Sequence, residues 1–360
     1  MLNRRHLLKA LAASPSLSLG LSLGLSPARA NAGEIRVLNW QGYGTDEAWA
    51  LEMFTAKTGI KVNHDYFNSE QEMLTKLRTS PGTYDVVLIN NTYVMDAAKE
   101  GLIEPITPSQ FSNWQNLTPA MRDSDRFVSD GKHYAVAWVW GVTSIAYNSN
   151  DMASAPASLE ALWDSANAGK IGWRDDAIEA VQFAALATGQ DMNFPKDLDA
   201  VKTKLMALKP QIRTFWSSED EWNKYFTAGD YRISTYWSGS AARSKKAFGL
   251  PVEFIVPKEG AIGWFDGLCI AKNAPNAQAA AQFIDFMVSP EFYVKWDNDV
   301  GAPASANAAA NAALPETALN RVVLGDAETV KRLQWMAPMS DEVRQSYQEL
   351  WDEVKTSFAQ

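Results

Sequence analysis

Strand patterns alternate with helix patterns along most of the chain, and this alternation restricts the possible folds more than any other feature. Residues 34–39 alternate between polar and apolar side chains with the period of a strand, and residues 60–66 form a second strand pattern. The run Asp-Val-Val-Leu-Ile at 85–89 is typical of a parallel strand covered on both faces. Helix patterns at 45–59 and 69–79 separate these strands. This order predicts an α/β lobe with a mostly parallel sheet.

The same order repeats in the second half of the chain and predicts a second α/β lobe. Residues 139–147 form a long strand pattern that contains Gly141, which suits a segment crossing between the lobes. Helix patterns follow at 177–187, 199–208 and 276–288, and strand patterns at 212–215 and 233–237. Ligands bind beyond the carboxyl ends of strands in such sheets, which here are Asn39-Trp40 and Asn90-Asn91-Thr92.

The C-terminal part has two further patterns. The Ala-rich residues 301–314 predict a loop with a helical turn. From Ser340 onwards a last helix is predicted, with apolar side chains at helical spacing at Val343, Tyr347, Leu350, Trp351, Val354 and Phe358. We interpret this stripe as core.

The first thirty residues have the features of an export signal. Arg4 and Arg5 precede an apolar run rich in Ser, Leu and Gly, and small residues stand at the cleavage spacing before Ala30. The paired arginines are typical of a twin-arginine signal, so we expect export to the periplasm and cleavage near Ala30. A membrane anchor is less favoured, because Ser, Gly and Pro15 interrupt the run.

The charge of the chain excludes one large class of partners. The full chain has 33 basic and 42 acidic side chains, and removal of residues 1–30 would leave 29 basic side chains against the same 42 acids. Such an acidic protein does not suit a nucleic-acid backbone, whereas it can attract a cation. Cys269 is the only cysteine, so no internal disulfide is possible.

Residues 257–270 form the stretch with the clearest chemistry. A turn pattern, Pro-Lys-Glu-Gly, precedes a strand pattern in which Trp264 and Asp266 fall on one face. A carboxylate beside an indole face suits an organic cation, because the acid supplies charge and the ring shields the attached methylenes. Alternatively, Trp264 is core and Asp266 is a residue at the end of a strand.

A second acidic feature lies at the start of the helix predicted at 177–187. Asp176 and Glu179 are three residues apart and therefore share one face. Acids in a first turn also interact favourably with the helix dipole, and two carboxylates at such a spacing could serve a glycosidase. The chain contains no nucleotide-binding or zinc-protease motif. The one Gly-x-Ser-x-Gly match of the Ser-hydrolase type, at residues 20–24, lies inside the predicted export signal, so no motif supports an enzyme. After cleavage only His64, His133 and Cys269 remain as typical metal ligands, without metal-site spacing.

Several segments together resemble the periplasmic spermidine/putrescine-binding proteins of ABC importers. They are Asn39-Trp40, residues 84–87, residues 134–143, residues 175–179, residues 236–240 and residues 257–266. The resemblance covers nearly the whole mature chain. It implies the two-lobed α/β fold of a type II-like periplasmic binding protein, with a mostly parallel sheet flanked by helices in each lobe and the ligand cleft between them. We expect residues 31–140 with 265–309 to form lobe 1, and residues 141–264 with 310–360 to form lobe 2.

The resemblance also implies ligand-binding residues. Trp40, Trp237 and Trp264 correspond to aromatic walls, and Asp176, Glu179 and Asp266 to carboxylates that hold amino groups. Five other positions depart from the residue that is usual in the family. Gln41 replaces a threonine, Asn90 a serine, and Thr92 a tyrosine, although Tyr93 is adjacent. Ala302 replaces a tyrosine and Met336 a glutamine. An anionic ligand would require arginines, and the matched positions carry none.

The expected function is therefore capture of putrescine, spermidine or a similar cation for delivery to an ABC transporter permease in the inner membrane. We expect a monomer that is not an enzyme, needs no cofactor or metal, and binds no nucleic acid. Four alternatives stay open. The ligand could be another amine such as agmatine, an opine or an aminophosphonate, or a bulkier amine. The protein could report polyamine to a membrane receptor. It could also be a periplasmic lyase or glycoside hydrolase that uses the paired carboxylates.

Overall fold

The computed structural model describes residues 33–359, so the predicted export signal lies outside the described residues. The strands are β1 (Glu34–Asn39), β2 (Lys61–Tyr66), β3 (Val86–Asn90), β4 (Val128–Ser129), β5 (Lys132–His133), β6 (Val136–Asn148), β7 (Ile171–Arg174), β8 (Ile212–Trp216), β9 (Ile233–Trp237), β10 (Val252–Ile255), β11 (Ala261–Ile270), β12 (Ala304–Ser305) and β13 (Leu333–Trp335).

The helices alternate with these strands. They are α1 (Ala48–Thr58), α2 (Glu70–Thr79), α3 (Val94–Lys99), α4 (Pro119–Arg122), α5 (Ala177–Ala187), α6 (Leu198–Met206), α7 (Glu219–Thr227), α8 (Ser238–Phe248), α9 (Ala277–Met287), α10 (Pro290–Asp299), α11 (Ala308–Ala312), α12 (Leu319–Val322), α13 (Ala327–Lys331) and α14 (Asp341–Ala359). The mixed α/β fold predicted from the alternating patterns is confirmed.

Two groups of parallel strands are joined into one sheet of 11 strands. β1 lies between β2 and β3 and is parallel to both, and β7 lies between β8 and β9 and is parallel to both. The long strands β11 and β6 connect the groups and run antiparallel to their neighbours β3 and β9. The main path of the sheet is therefore β2-β1-β3-β11-β6-β9-β7-β8.

β6 and β11 pass from one hydrophobic core to the other. In β6, Val142 belongs to the larger core and Ile145 to the smaller one, and in β11 the two cores include Leu268 and Ile262, respectively. Both strands are almost wholly buried, as expected for strands covered on both faces. The crossing of the Gly141 segment between the lobes, like the lobe boundaries, stays a prediction.

Local signals explain most element ends. Ser69 accepts a hydrogen bond from the Glu72 N–H (3.2 Å), which is the capping box predicted for α2. Gly59 ends α1 in the left-handed conformation that glycine adopts without steric cost. The start predicted for α1 at Thr45 is too early, because residues 41–46 form turns and Glu47 is the N-cap.

The C-terminal predictions are also tested. The stripe of α14 packs into the smaller core through Tyr347, Leu350, Trp351 and Val354, as predicted. The Ala-rich segment contains the helical turn α11 and, in addition, the short strand β12 that pairs with β6. Among the helices at 33–359, none combines the length and the apolar character that crossing a bilayer requires.

Candidate functional site

The first part of the candidate site lies where β3 and β11 pair. Asp266 of β11 stands opposite Asn90, the last residue of β3. The Asn90 side-chain amide donates to Asp266 Oδ1 (2.9 Å), and the Tyr43 hydroxyl donates to Oδ2 (2.9 Å). Asp266 is only 6% exposed. The loop after β1, the end of β3 and the middle of β11 thus meet at one carboxylate.

The partners of Asp266 are neutral. Burial raises the pKa of Asp266 to about 6, although the hydrogen bonds from Asn90 and Tyr43 oppose this shift. Arg243 lowers the pKa of Tyr43, but its guanidinium is bound to Glu219. Within residues 33–359, Asp266 forms no ion pair with a basic side chain. The carboxylate is therefore buried without a compensating charge.

Glu70 brings a second acid to this place. It is the first residue of α2, and its Oε2 atom is buried without a hydrogen-bond partner in the described residues. Burial, and then repulsion by Asp266, raises the pKa of Glu70 to about 8. We call Asp266 and Glu70 the Asp266 pair. The sequence analysis placed Glu70 only within the helix pattern at 69–79, although α2 begins beyond the carboxyl end of β2, at the edge where ligands were expected.

The second acidic group lies at the start of α5, as its spacing predicted. Asp176 is the N-cap and accepts a hydrogen bond from the Glu179 N–H (2.9 Å). Glu179 Oε1 accepts from the Trp237 indole N–H (3.3 Å) and from the Thr143 hydroxyl (3.4 Å). Its Oε2 atom is buried without a partner in the described residues. We call Asp176 and Glu179 the Glu179 pair.

Arg174, the last residue of β7, compensates the Glu179 pair. Its guanidinium donates to Glu179 Oε1, and Nη2 lies 3.5 Å from Asp176 Oδ2. The same group lies over the Trp237 ring, with Cζ 4.6 Å from the ring centroid. Burial raises the pKa of Glu179, and the positive charge of Arg174 opposes that shift. A cation of the protein itself thus takes the position between carboxylates and indole that was expected for the ligand.

Sequence reasoning missed Arg174 because it directly precedes the matched segment 175–179. The signal was present, since Arg174 ends a strand whose carboxyl end adjoins α5. Tyr43 was also missed, although it lies in the glycine- and aromatic-rich loop after β1.

Trp264 stands two residues before Asp266 in β11 and is half-buried. Its partner across the strand pair is Gly141 of β6. A Cβ atom at Gly141 would collide with the six-membered ring of Trp264, so this glycine leaves the indole room to lie against the sheet. Trp264 and Asp266 both belong to β11, two residues apart, and the role of the indole in binding a cation stays a prediction.

Thr92 is buried and acts on Asn90 rather than on Asp266. Its backbone N–H (3.1 Å) and its hydroxyl (2.8 Å) both donate to Asn90 Oδ1. These bonds leave the Asn90 amide nitrogen to face Asp266. Thr92 therefore positions a residue of the site.

The remaining two predicted residues lie in the loop after β1. Trp40 is half-buried and packs edge-on against Phe67, with ring centroids 4.6 Å apart. Gln41 is exposed and makes no hydrogen bond to the described residues. Among the described residues neither side chain forms a hydrogen bond with the two acidic pairs, so their roles stay predictions.

Tyr93 connects the two acidic pairs electrostatically. Burial raises the pKa of this residue, and both Glu70 and Asp176 raise it further, whereas Arg344 lowers it. Tyr93 therefore lies within electrostatic range of one acid from each pair. No group of three or more His, Cys, Asp and Glu residues within 33–359 could hold a metal ion.

Comparison with known proteins identifies the family of the chain. The model of the family described as bacterial extracellular solute-binding protein matches residues 49–320. The chain belongs to this family. A spermidine/putrescine-binding periplasmic protein of Escherichia coli is 33% identical over 338 residues, which cover 92% of each chain. A putrescine/agmatine-binding protein of Pseudomonas aeruginosa is 25% identical and is matched over 89% of this chain and 92% of its own length.

A solved structure supports the same assignment for the fold. The spermidine/putrescine ABC transporter substrate-binding protein of Streptococcus pneumoniae superimposes with a TM-score of 0.81 at 26% sequence identity. The match covers 91% of this chain and 99% of that chain. The two-lobed binding-protein fold implied by the resemblance is thus confirmed.

Proposed function

We propose that this solute-binding protein captures an organic amine, with putrescine, spermidine or a similar cation as the first candidates. The observation that carries the proposal is the Asp266 carboxylate, which is 6% exposed and has only neutral partners among the described residues. The names of the relatives support the same class of ligand.

The physical argument is that a buried charge requires a partner. An uncompensated carboxylate in a closed site costs several kcal/mol, and an ammonium group from the ligand removes that cost. The half-buried indole of Trp264 adds a cation–π interaction of about 0.5–2 kcal/mol and covers the adjacent methylene groups. The ligand therefore stabilises the closed form more than the open one.

The proposal includes the place and the partners of the protein. We infer export to the periplasm after cleavage near Ala30, action as a monomer, and delivery of the amine to an ABC transporter permease. Lobe 1 would contain residues 31–140 and 265–309, and lobe 2 residues 141–264 and 310–360. The family consists of solute-binding proteins, so a role in capture rather than catalysis is inferred.

A thermal-shift series on the purified mature protein tests the proposal. The ligands are putrescine, cadaverine, spermidine, spermine and agmatine, with succinate as the anionic control. At a hundred times its dissociation constant, a true ligand adds about 2.7 kcal/mol of stability. We expect one or more amines to raise Tm by several degrees. A series in which no amine raises Tm would overturn the proposal and leave only the fold.

Variants connect the binding to the site. Trp264→Ala removes the aromatic face beside Asp266 and should weaken amine binding by about tenfold. Trp163→Ala is the matched control, because this tryptophan lies against Lys204, donates to the Lys204 carbonyl and makes no hydrogen bond to the two acidic pairs. Equal affinities for Trp264→Ala and the wild type would contradict the assignment of Trp264.

A further inference from the structure

The two acidic pairs of the site differ in what compensates them. We propose that the site recognises its solute through one ammonium group, bound by Asp266 and Glu70, and that Arg174 replaces a second ligand cation at Asp176 and Glu179. The inference rests on the proposed amine-binding function and narrows the ligand to amines held by one end. It also assigns two residues, Glu70 and Arg174, that the expected binding set did not contain.

Arg174 already lies where a ligand cation would bind the Glu179 pair. Its guanidinium contacts both carboxylates of the Glu179 pair and lies on the Trp237 indole. These are the interactions that would hold a ligand cation between an acidic and an aromatic wall. Because Arg174 makes them within the protein, a second ammonium group on the ligand gains little at this end.

The two acidic pairs differ in the negative charge that the protein leaves unpaired. Arg174 offsets one of the two negative charges of the Glu179 pair, and Asp176 also serves as the N-cap of α5. At the Asp266 pair, neither Asp266 nor Glu70 forms an ion pair within residues 33–359. The largest gain from a cation therefore lies at the Asp266 pair.

Glu70 has a carboxylate oxygen that is free to bind a donor of the ligand. Its Oε2 atom is buried and accepts no hydrogen bond in the described residues, although a buried carboxylate oxygen normally has a donor. An ammonium group has three donors, which suffice for Asp266, Glu70 and one further acceptor. The ligand would thus satisfy both an unpaired charge and an unpaired acceptor.

The consequence is a preference that can be measured with two small probes. n-Butylamine and putrescine have the same four-carbon chain, but only putrescine carries a second ammonium group. If Arg174 replaces the second cation, the wild type should bind both amines with dissociation constants within about tenfold of each other, that is within about 1.4 kcal/mol. Titration calorimetry at pH 8 gives this ratio.

Arg174→Gln is the decisive variant. It leaves the Glu179 pair without its cation, so the preference for putrescine over butylamine should rise by about tenfold or more. Arg174→Lys keeps the charge and should retain most of the wild-type ratio. Arg213→Gln is the matched control, because Arg213 lies on the adjacent strand β8 and pairs with Asp230 at the surface. Its ratio should equal that of the wild type.

Glu70→Gln tests the other end. It should weaken butylamine and putrescine equally, by about tenfold, because both amines share the ammonium group that Glu70 binds. Glu72→Gln, two residues further along α2 and near Lys76 at the surface, should leave both affinities unchanged. Unchanged affinities in Glu70→Gln would overturn the role of Glu70.

The outcomes separate this inference from the proposed function. If the wild type binds neither butylamine nor any di- or polyamine, the proposed function fails and the inference fails with it. If the wild type binds putrescine about a hundredfold or more tighter than butylamine, and Arg174→Gln does not change that ratio, only the inference fails. The wild-type ratio and Arg174→Lys keep the test decisive even if Arg174→Gln does not fold.

Discussion

The Asp266 pair and the Glu179 pair are two arrangements of the same residue types with different consequences. At the Glu179 pair, the carboxylates are bound by a guanidinium and by an indole N–H. At the Asp266 pair, an amide and a phenol hydroxyl donate, and no basic side chain of the described residues forms an ion pair. In the first arrangement the protein offsets one of the two negative charges, whereas in the second one no basic side chain of the described residues offsets either. A carboxylate thus indicates a cation site only where its own protein does not neutralise it.

We expect the largest loss of amine affinity from a substitution at Asp266. Asp266→Asn removes the charge that binds the ammonium group but keeps an acceptor for Asn90. We expect amine affinity to fall by about a hundredfold or more, because truncating a desolvated charge pair costs about 2–5 kcal/mol. The Tm of the unliganded protein should not fall, since the variant also removes an uncompensated buried charge.

Calorimetry and a thermal scan on the same sample check both parts of this prediction. Asp285→Asn is a control, since Asp285 binds Ser112 and Asn113 at a distance from the site. Wild-type affinity in Asp266→Asn would show that the two pairs do not differ in the way described.

The next effect concerns the compensated pair and is one of stability. Arg174→Gln leaves Glu179, which is 6% exposed, without its cation. We expect the free energy of unfolding to fall by about 2 kcal/mol, less than for a fully buried pair because the Arg174 side chain is 26% exposed. Arg213→Gln breaks a surface pair and should cost about 0–1 kcal/mol. Urea unfolding of both variants measures the difference, and equal losses would contradict it.

The stability of the protein should depend on pH through Glu70 and Asp266. The pKa of Glu70 is raised from 4.5 to about 8 in the folded protein and that of Asp266 from 3.8 to about 6, mainly by burial. The folded state therefore binds protons more tightly than the unfolded chain. Stability that is present at low pH is lost as the pH rises toward about 8. Glu70→Gln should lose much of this dependence, as thermal scans between these pH values would record.

The affinity for amines should change in the opposite direction. Over the same pH range the carboxyls ionise, while an aliphatic amine with a pKa of about 10.4 stays charged. Binding should thus strengthen as the pH rises toward about 8, and calorimetry in two buffers should detect proton release. Binding that is independent of pH would contradict the raised pKa values of Glu70 and Asp266.

The smallest effect is expected for a residue that only positions its neighbour. Thr92→Val removes the hydroxyl that donates to Asn90 Oδ1 but keeps the volume and the backbone bond. Amine affinity should fall by a few-fold, corresponding to about 1 kcal/mol or less. Thr79→Val is the control, because its hydroxyl donates to the Thr75 carbonyl on the exposed side of α2. A loss as large as that of Asp266→Asn would mean that Thr92 contacts the ligand directly.

Much of the fold was readable from local patterns. The capping box at Ser69, the stop at Gly59 and the apolar stripe of α14 all depend on residues close together in the chain, and the structure confirms them. The early start assigned to α1 was wrong because turn residues precede Glu47. Short pieces such as β12 were missed because their partner, β6, is remote in sequence.

The candidate site was predicted in part. Trp264 and Asp266 share one face because they are two residues apart in a strand. Asp176 and Glu179 share one face because they are three residues apart at the start of a helix. The roles of Glu70 and Tyr43 do not follow from such spacing, since they depend on which strand ends meet. Arg174 is only five residues from Glu179, but its contact with the Trp237 ring depends on the pairing of β7 with β9. Trp40 and Gln41 entered the predicted set through resemblance alone, and no hydrogen bond to the acidic pairs supports them in the described residues.

The sequence by itself determined the alternation of strands and helices, the faces on which the acids and indoles stand, and the absence of familiar enzyme motifs. These properties follow from spacing along a few residues. The environment of each carboxylate depends on tertiary structure, because the pairing of β3 with β11 brings Asn90 to Asp266, and the pairing of β7 with β9 brings Arg174 to the Trp237 ring. Charge compensation acts over a few ångströms in space, and the partners of each carboxylate can lie hundreds of residues away in sequence, as Tyr43 and Asp266 do.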